Sequence, residues 1–208
     1  MYHGVAETTW GAAELFVRPV DMEAQLQYLT ENGYTPIFFE DLARVDEIEK
    51  PVLLTFDDGY VDNYTELFPL LQKYQVKATI FVIAGTVDYN PNNLTSAQIR
   101  EMSDSGLVSI QSHTQTHPYL SQLTRAQQEW ELTQSKLTLT RITGKEPYVL
   151  AYPVGDTNQN TLELAALHFK QAIIMNGGDY HTSTDPYQIP RWYVSRQSTL
   201  SAFVDMVS

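Results

Sequence analysis

Cysteine is absent from this chain. That excludes a disulfide framework, a thiolate zinc site, an iron–sulfur cluster and a thiol nucleophile, so a metal centre here has only histidine and carboxylate to draw on. Basic residues are scarce: 13 Lys and Arg stand against 25 Asp and Glu, a formal net charge of −12. With no basic cluster, neither a nucleic-acid backbone nor an anionic membrane surface is an expected partner. Long hydrophobic runs are missing too, and none approaches the ~18 apolar residues of a spanning helix. No basic stretch followed by an apolar one opens the chain. Met1-Tyr2-His3-Gly4-Val5 reads as the tail of a strand, so a trimmed domain is expected, with any export signal outside it. What is present is 208 residues, 43% apolar and 12% aromatic, enough for the core of one domain spanning 1–208 rather than a disordered chain.

Apolar, β-prone runs alternate with stretches of helical period. Strands are expected at Thr35–Phe39, Pro51–Phe56, Ala78–Ala84, Leu107–Ser112, Tyr148–Tyr152, Ala172–Met175 and Ile189–Ser195. Helices are expected at 20–32, Asn63–Tyr74, from a cap at Thr95 or Ser96 to near Gly106, at Thr124–Ile142, at Thr157–Lys170 and near the C-terminus. This alternation predicts an α/β fold with a parallel sheet under helices. Seven or eight strands in this length suggest a closed or nearly closed barrel, whose reacting groups lie at the C-terminal strand ends.

Five such ends carry chemistry. Asp57 and Asp58 follow the strand at Phe56; adjacent carboxylates shift a pKa or recruit a cation, although Asp-Gly is also a common turn pair. On an extended chain the two point to opposite sides, so one is free to hold a metal while the other faces a substrate water. His113 and His117 follow the strand at Ser112; four apart on a helical turn they would share a face and one ion, and the alternative is two surface histidines. With Asp58 they make a two-His, one-carboxylate set that keeps a coordination position open. Pro153 and Gly155 force an irregular turn after Tyr152 that can present a backbone N–H as an oxyanion donor, the alternative being an ordinary loop. His3 and Arg191 lie at two further strand ends, and an Arg beside a catalytic carboxylate would lower its pKa and orient it. Tyr60, Tyr152, Tyr180 and Trp192 neighbour these segments as candidate sugar-stacking residues. The other aromatics, Tyr119, Trp130 and Tyr193 among them, are expected mostly in the core.

Thr55–Gly59 (T-F-D-D-G), His113–His117 (H-T-x-x-H) and the altered Ala151–Gly155 (A-Y-P-V-G) resemble, in order, the motifs of the polysaccharide deacetylases of carbohydrate esterase family 4, the NodB homology domain. Tyr2-His3-Gly4-Val5 ahead of the first motif, and the lack of a C-terminal L-x-H, resemble the permuted branch that de-N-acetylates poly-β-1,6-N-acetylglucosamine. The resemblance implies a distorted, incomplete (β/α) barrel of about seven strands, and removal of N-acetyl groups from a β-linked N-acetylglucosamine polymer. It implies Asp57 as general base, and Asp58, His113 and His117 as ligands of a divalent metal: zinc, with cobalt, nickel or manganese as alternatives. It implies the Val154 N–H as oxyanion donor, His3 as general acid and a loop-shaping role for Thr114. Ala151 stands where the family carries an arginine, and Arg191 is the candidate to replace it. The D-x-x-D-W motif is not evident; Asp179-Tyr180 and Asp185 are weak substitutes. The expected partner is an acetylated glycan and the expected state a monomer, outside the cell or on its surface. Alternatives are a peptidoglycan, chitin-oligomer or O-acetyl-xylan deacetylase, or a weakly active carbohydrate-binding domain; a glycosidase fits poorly, because its two carboxylates stand ~5 Å or more apart across the substrate.

Overall fold

The computed structural model describes the whole chain, Met1–Ser208. It runs β1 (Gly4–Val5), β2 (Phe16–Val17), α1 (Pro19–Glu31), β3 (Thr35–Pro36), β4 (Pro51–Val52) and β5 (Thr55–Phe56). Then come α2 (Phe68–Tyr74), β6 (Ala78–Val82), α3 (Ser96–Asp104), β7 (Val108–Ser112), α4 (Arg125–Thr143), β8 (Val149–Ala151), α5 (Gln159–His168), β9 (Gln171–Ile173) and α6 (Leu200–Val207). Strands β5 to β9 form one parallel sheet in sequence order, and β1·β2 and β3·β4 are parallel pairs beside it.

Single hydrogen bonds carry the sheet around towards closure. On one edge, the Tyr2 N–H donates to Thr55 O at 2.8 Å and the Asp57 N–H to Tyr2 O at 2.9 Å. On the other, Ile189 N–H donates to Ala172 O at 3.1 Å, and Val194 N–H reaches Met1 O at 2.9 Å. The result is an incomplete (β/α) barrel.

Side-chain alternation sorts the core. β6 is buried along its length, as a strand covered on both faces must be. Its Ile80 and Val82 join a 25-residue outer cluster with Leu26, Leu71, Ile99 and Phe203 of the helices. Phe81 faces the other way, into a smaller interior cluster with Val149, Ile173, Ile189 and Phe39. Capping boxes at Thr95/Gln98 and Thr124/Gln127 start α3 and α4, and Gly144, at φ 72°, ends α4.

Two expected strands come out differently. Pro51–Phe56 divides in two because it changes partner: β4 pairs with β3, and β5 with β6. Ile189–Ser195 keeps only a bridge between Ile189 and Ile173, because the next donor in register, the Arg191 N–H, goes to Asn176 O instead of continuing the ladder on Ile174 O. No helix is long and apolar enough to cross a membrane.

Candidate active site

The register of the sheet assembles the candidates. Tyr2 bridges Phe56, so His3 stands beside Asp57. Ser112 pairs with Leu150, so His113 stands beside Ala151, and its Nδ1 lies 2.8 Å from Ala151 O. A carbonyl only accepts, so Nδ1 carries the proton and Nε2 keeps its lone pair. That Nε2 lies 3.5 Å from Asp58 Oδ1, and His117 Nε2 lies 3.7 Å from the same oxygen. The three ligand atoms all fall within 4.8 Å of one another. Two neutral imidazoles and a carboxylate converging on one point, with one tautomer fixed by a backbone carbonyl, form a donor set that suits a divalent cation. Burial and the neighbouring His113 hold the His117 imidazole below its ordinary pKa, against the pull of Asp58 and Asp57.

His117 reaches this point by a route unlike the expected helical turn. Thr114 and His117 both have positive φ, 64° and 61°. Pro118 disfavours helical backbone at the residue before it, and the Thr114 hydroxyl accepts the His117 N–H at 3.0 Å. The two imidazoles meet edge to face, with centroids 4.7 Å apart. Gly85 is packed so closely beneath this loop that a Cβ there would lie 2.6 Å from Gln115 O.

Asp57 is only 2% exposed. Arg191 Nη1 and Nη2 each donate to one of its oxygens at 2.8 Å, a bidentate pair. Arg191 is itself steadied by Thr55 Oγ1 at 3.2 Å and lies over the Phe81 ring. Burial alone would raise the Asp57 carboxyl; the Arg191 charge and hydrogen bonds, helped by His113 and His3, outweigh it and hold the group well below the usual carboxylate range. His3 is buried, with Nδ1 unpartnered and its ring edge-on to Tyr193. Burial lowers the His3 pKa against the opposing pull of Asp57 and Asp58.

Val154 has φ 50° and ψ 17°, a strained conformation for a β-branched residue, and is 46% exposed. Its N–H finds no acceptor in the chain, the flanking turn bonds being made by Gly155 and Asp156.

The aromatic candidates divide. Tyr60 stays beside the site: burial and the Asp58 carboxylate raise its phenol pKa, and its ring stacks on Phe16 at 5.4 Å. Trp192 is 43% exposed next to Arg191, its indole N–H held by Asp179 Oδ1 at 2.8 Å. Tyr152 is corrected: it is fully buried on the outer side of β8 against α5, with its hydroxyl on Tyr187 O, because one residue beyond Ala151 the alternation points outward. Tyr180 is half-buried against the interior apolar cluster and lines the cavity beside Arg191. Trp130 and Tyr119, expected in the core, are 50% and 56% exposed. Sequence reading missed Trp10, 39% exposed and 5.8 Å edge-on from Tyr60, and the buried Glu131 of α4, whose carboxylate accepts from the histidine loop. The only signal for Glu131 was a charge on the inward stripe of a long helix.

A cavity of about 320 Å³ opens beside Arg191 and Thr55, lined mainly by Ile37, Phe39, Leu42, Val194 and Phe203. It includes neither the Asp pair nor the histidines, so the polar chemistry lies outside it, at the strand ends.

Asp62, buried next to this site, accepts the Val5 N–H at 2.9 Å and Asn63 Nδ2 at 3.0 Å, and the same Asn63 amide holds His3 O. Burial pushes the Asp62 carboxyl up to about 6, against those hydrogen bonds. A raised folded-state pKa gives stability that is full below pH ~4 and is lost as pH rises through about 6. Asp62→Asn keeps both contacts through Oδ1 and removes the titration. Relative to the parent, the variant is expected to gain stability across this window, approaching about 3 kcal/mol, read by denaturant unfolding at stepped pH. Parallel profiles for the two proteins would contradict the assignment.

The comparisons with known proteins follow the same geometry. Residues 44–172 match the family model described as polysaccharide deacetylase. This span holds Asp57, Asp58, His113, His117 and Val154, while His3 and Arg191 lie outside it. A Bacillus subtilis protein, YxkH, whose name assigns it to the polysaccharide deacetylases, is 35% identical over 98% of this chain and 73% of its own length. A poly-β-1,6-N-acetyl-D-glucosamine N-deacetylase of Escherichia coli is 31% identical over 57% of this chain but only 20% of its own. The crystal structure of a Bacillus cereus polysaccharide deacetylase superposes with TM-score 0.94 at 32% identity, covering 100% of this chain and 67% of that one. A Streptococcus pyogenes deacetylase, solved with acetate, superposes at 0.93 and 30% identity, over 100% of this chain and 96% of that one. This chain belongs to the polysaccharide deacetylase family.

Proposed function

We propose that this chain is a metal-dependent N-deacetylase that releases acetate from a β-linked N-acetylglucosamine polymer, poly-β-1,6-N-acetylglucosamine in particular, outside the cell or on its surface, as a monomer. The observation that carries the reaction is the buried Asp57 clamped by Arg191 directly beside the Asp58–His113–His117 set. The polymer is supported by the Escherichia coli relative and by Staphylococcus aureus proteins of the same name, 28% identical over 69% of this chain.

Asp58, His113 and His117 would hold the cation. When bound, a divalent ion supplies Lewis acidity, polarising the acetyl carbonyl and acidifying water at neutral pH. Asp57 takes the proton of the attacking water. Arg191 keeps that carboxylate ionised and fixes its plane, and each oxygen retains a lone pair for the incoming proton. The Val154 N–H donates to the oxygen that gains charge as the carbonyl carbon becomes tetrahedral; its strained backbone and unpaired N–H support that role. His3 hands a proton to the departing sugar amine. Burial favours its neutral imidazole at rest, so the proton it delivers is gained during turnover, and the proton that Asp57 takes from water is its net source. Tyr60 with Trp10 on one side, and Trp192 on the other, offer faces on which sugar rings stack.

The discriminating measurement is acetate release, with chain length followed in parallel, from β-1,6- and β-1,4-linked N-acetylglucosamine oligomers by zinc- or cobalt-loaded protein. Acetate from the β-1,6 oligomers without shortening is the expected result. Tight binding with no acetate from any acetylated glycan would leave a binding domain, and shortened chains a glycosidase. His3→Ala is expected to lower kcat by about 10²-fold or more with little change in KM; an unchanged kcat would remove His3 from the proton path.

A further inference from the structure

We infer that Glu131, on the inward face of α4, is a positioning residue for the metal-binding loop, setting the cation affinity of a site it does not touch. It is 5% exposed and lies 14 residues after His117, in the helix packed against β7. Its Oε2 accepts the backbone N–H of Gln115 at 2.9 Å and of Thr116 at 2.8 Å, and its Oε1 accepts the Thr116 hydroxyl at 2.5 Å. Three donors between the two histidines therefore converge on one side chain. Without it, two backbone N–H groups inside a loop of left-handed residues would lose their acceptor.

One turn along the same helix, Ser135 Oγ meets Ser112 Oγ at 2.6 Å, and Ser112 Oγ in turn accepts the Thr114 N–H at 3.2 Å. Gln128, one turn back, is fully buried as well. The inward stripe of α4 is thus polar where the histidine loop crosses it, and apolar elsewhere through Leu132 and Leu139. An isolated buried carboxylate is costly to a core; one that satisfies a loop's amide donors stabilises the single loop shape that aims His117 at Asp58. The loop is pinned from the opposite side by the Ala84 and Gly85 N–H groups, on Thr114 O at 3.1 Å and Gln115 O at 2.8 Å. Glu131 is the α4 half of that clamp.

The inference rests on the metal reading of this site, and its test keeps the two apart. Cobalt affinity of the metal-free protein is measured by competition with a chromophoric chelator, beside the melting temperature of the same metal-free protein. Glu131→Ala is expected to lose 10–100-fold in cobalt affinity, the range typical when a partner that orients a ligand is removed. Leu139→Ala, lower on the same helix and buried in the outer core, is the control. It is expected to lower the melting temperature and leave affinity within about threefold, since it removes packing but no loop contact. Glu131→Gln retains an acceptor for both amides and a donor for the Thr116 hydroxyl, so it is expected to restore affinity close to the parent's. Should Glu131→Ala fail to fold, Glu131→Asp, one methylene shorter, reads the same loss. Parent-like affinity in a folded Glu131→Ala or Glu131→Asp variant would overturn the inference, as would a Glu131→Gln loss equal to the alanine's. Absence of cobalt binding by the parent would instead defeat the metal reading itself.

Discussion

Asp57→Asn is expected to lower deacetylation about 10²–10⁴-fold in kcat, the range a positioned general base contributes, while cobalt or zinc affinity stays within a few-fold. Asp57 is the carboxylate taken up by Arg191, and Asp58 is the one facing the two imidazoles. The substitution therefore removes the proton acceptor and leaves the cation's donor set whole. The amide is not innocuous. One of its two polar atoms becomes an N–H₂ group facing an Arg191 N–H, so a donor meets a donor in a buried place, which costs roughly 1–3 kcal/mol. Acetate release must accordingly be read below the variant's melting temperature, with metal content determined on the same sample. Loss of kcat with metal retained supports the base assignment. A variant turning over at the parent's rate would take Asp57 out of the chemistry and leave it a structural anchor.

Removing the other half of the pair should have the larger effect on stability. Arg191→Ala leaves Asp57 buried without a counter-charge, and breaking a buried ion pair from one side costs about 3–5 kcal/mol. The pH dependence should change sign as well. In the parent, Arg191 depresses the Asp57 pKa, so the pair's contribution is full above the unfolded pKa near 4 and is lost as pH falls through the lower folded value. In Arg191→Ala, burial, the largest influence on Asp57, is opposed only by His113 and His3 and is expected to raise the carboxyl; its contribution is then full at low pH and is lost as pH rises through the new folded value. Unfolding free energies at stepped pH should therefore slope in opposite directions in the two proteins over the carboxylate range. Activity should collapse too, because a carboxyl protonated at neutral pH is no base. Arg191→Lys keeps the charge but not the two-pronged fit, and should fall between. Equal stability and identical pH slopes in parent and Arg191→Ala would show that the ion pair has no energetic role.

The motif residues were legible because their chemistry is local. Asp57 and Asp58 are adjacent, His113 and His117 are four apart, and each group follows a run of apolar, β-prone residues that marks a strand end. The helices were legible from period and caps, to within a few residues. The failures share a cause. Tyr152 sits next to a site segment in sequence, but which way its side chain points depends on the register of the strand and the curvature of the sheet. Ile189–Ser195 reads as a strand by composition, but its ladder ends after Ile189, where the Arg191 N–H turns to Asn176 O. The helical spacing of the two histidines suggested a helical turn, and Pro118 together with two left-handed residues produced the same convergence by another path. Glu131 and Trp10 left almost no signal, because a buried acid or a rim tryptophan takes its meaning from a partner far along the chain.

Composition and local pattern by themselves determined an acidic, thiol-free α/β domain, with any metal confined to histidine and carboxylate and the reacting groups at the ends of parallel strands. Those follow from residue chemistry and from periodicities of a few residues. Only the tertiary structure decided that Arg191, 134 residues from Asp57, is its counter-ion, that His3 stands opposite that same carboxylate, and that α4 carries the acceptor for the histidine loop. Ion pairs and hydrogen bonds act over about 3 Å, and which groups come that close is set by how the sheet curls and the chain returns, which no local stretch of sequence encodes.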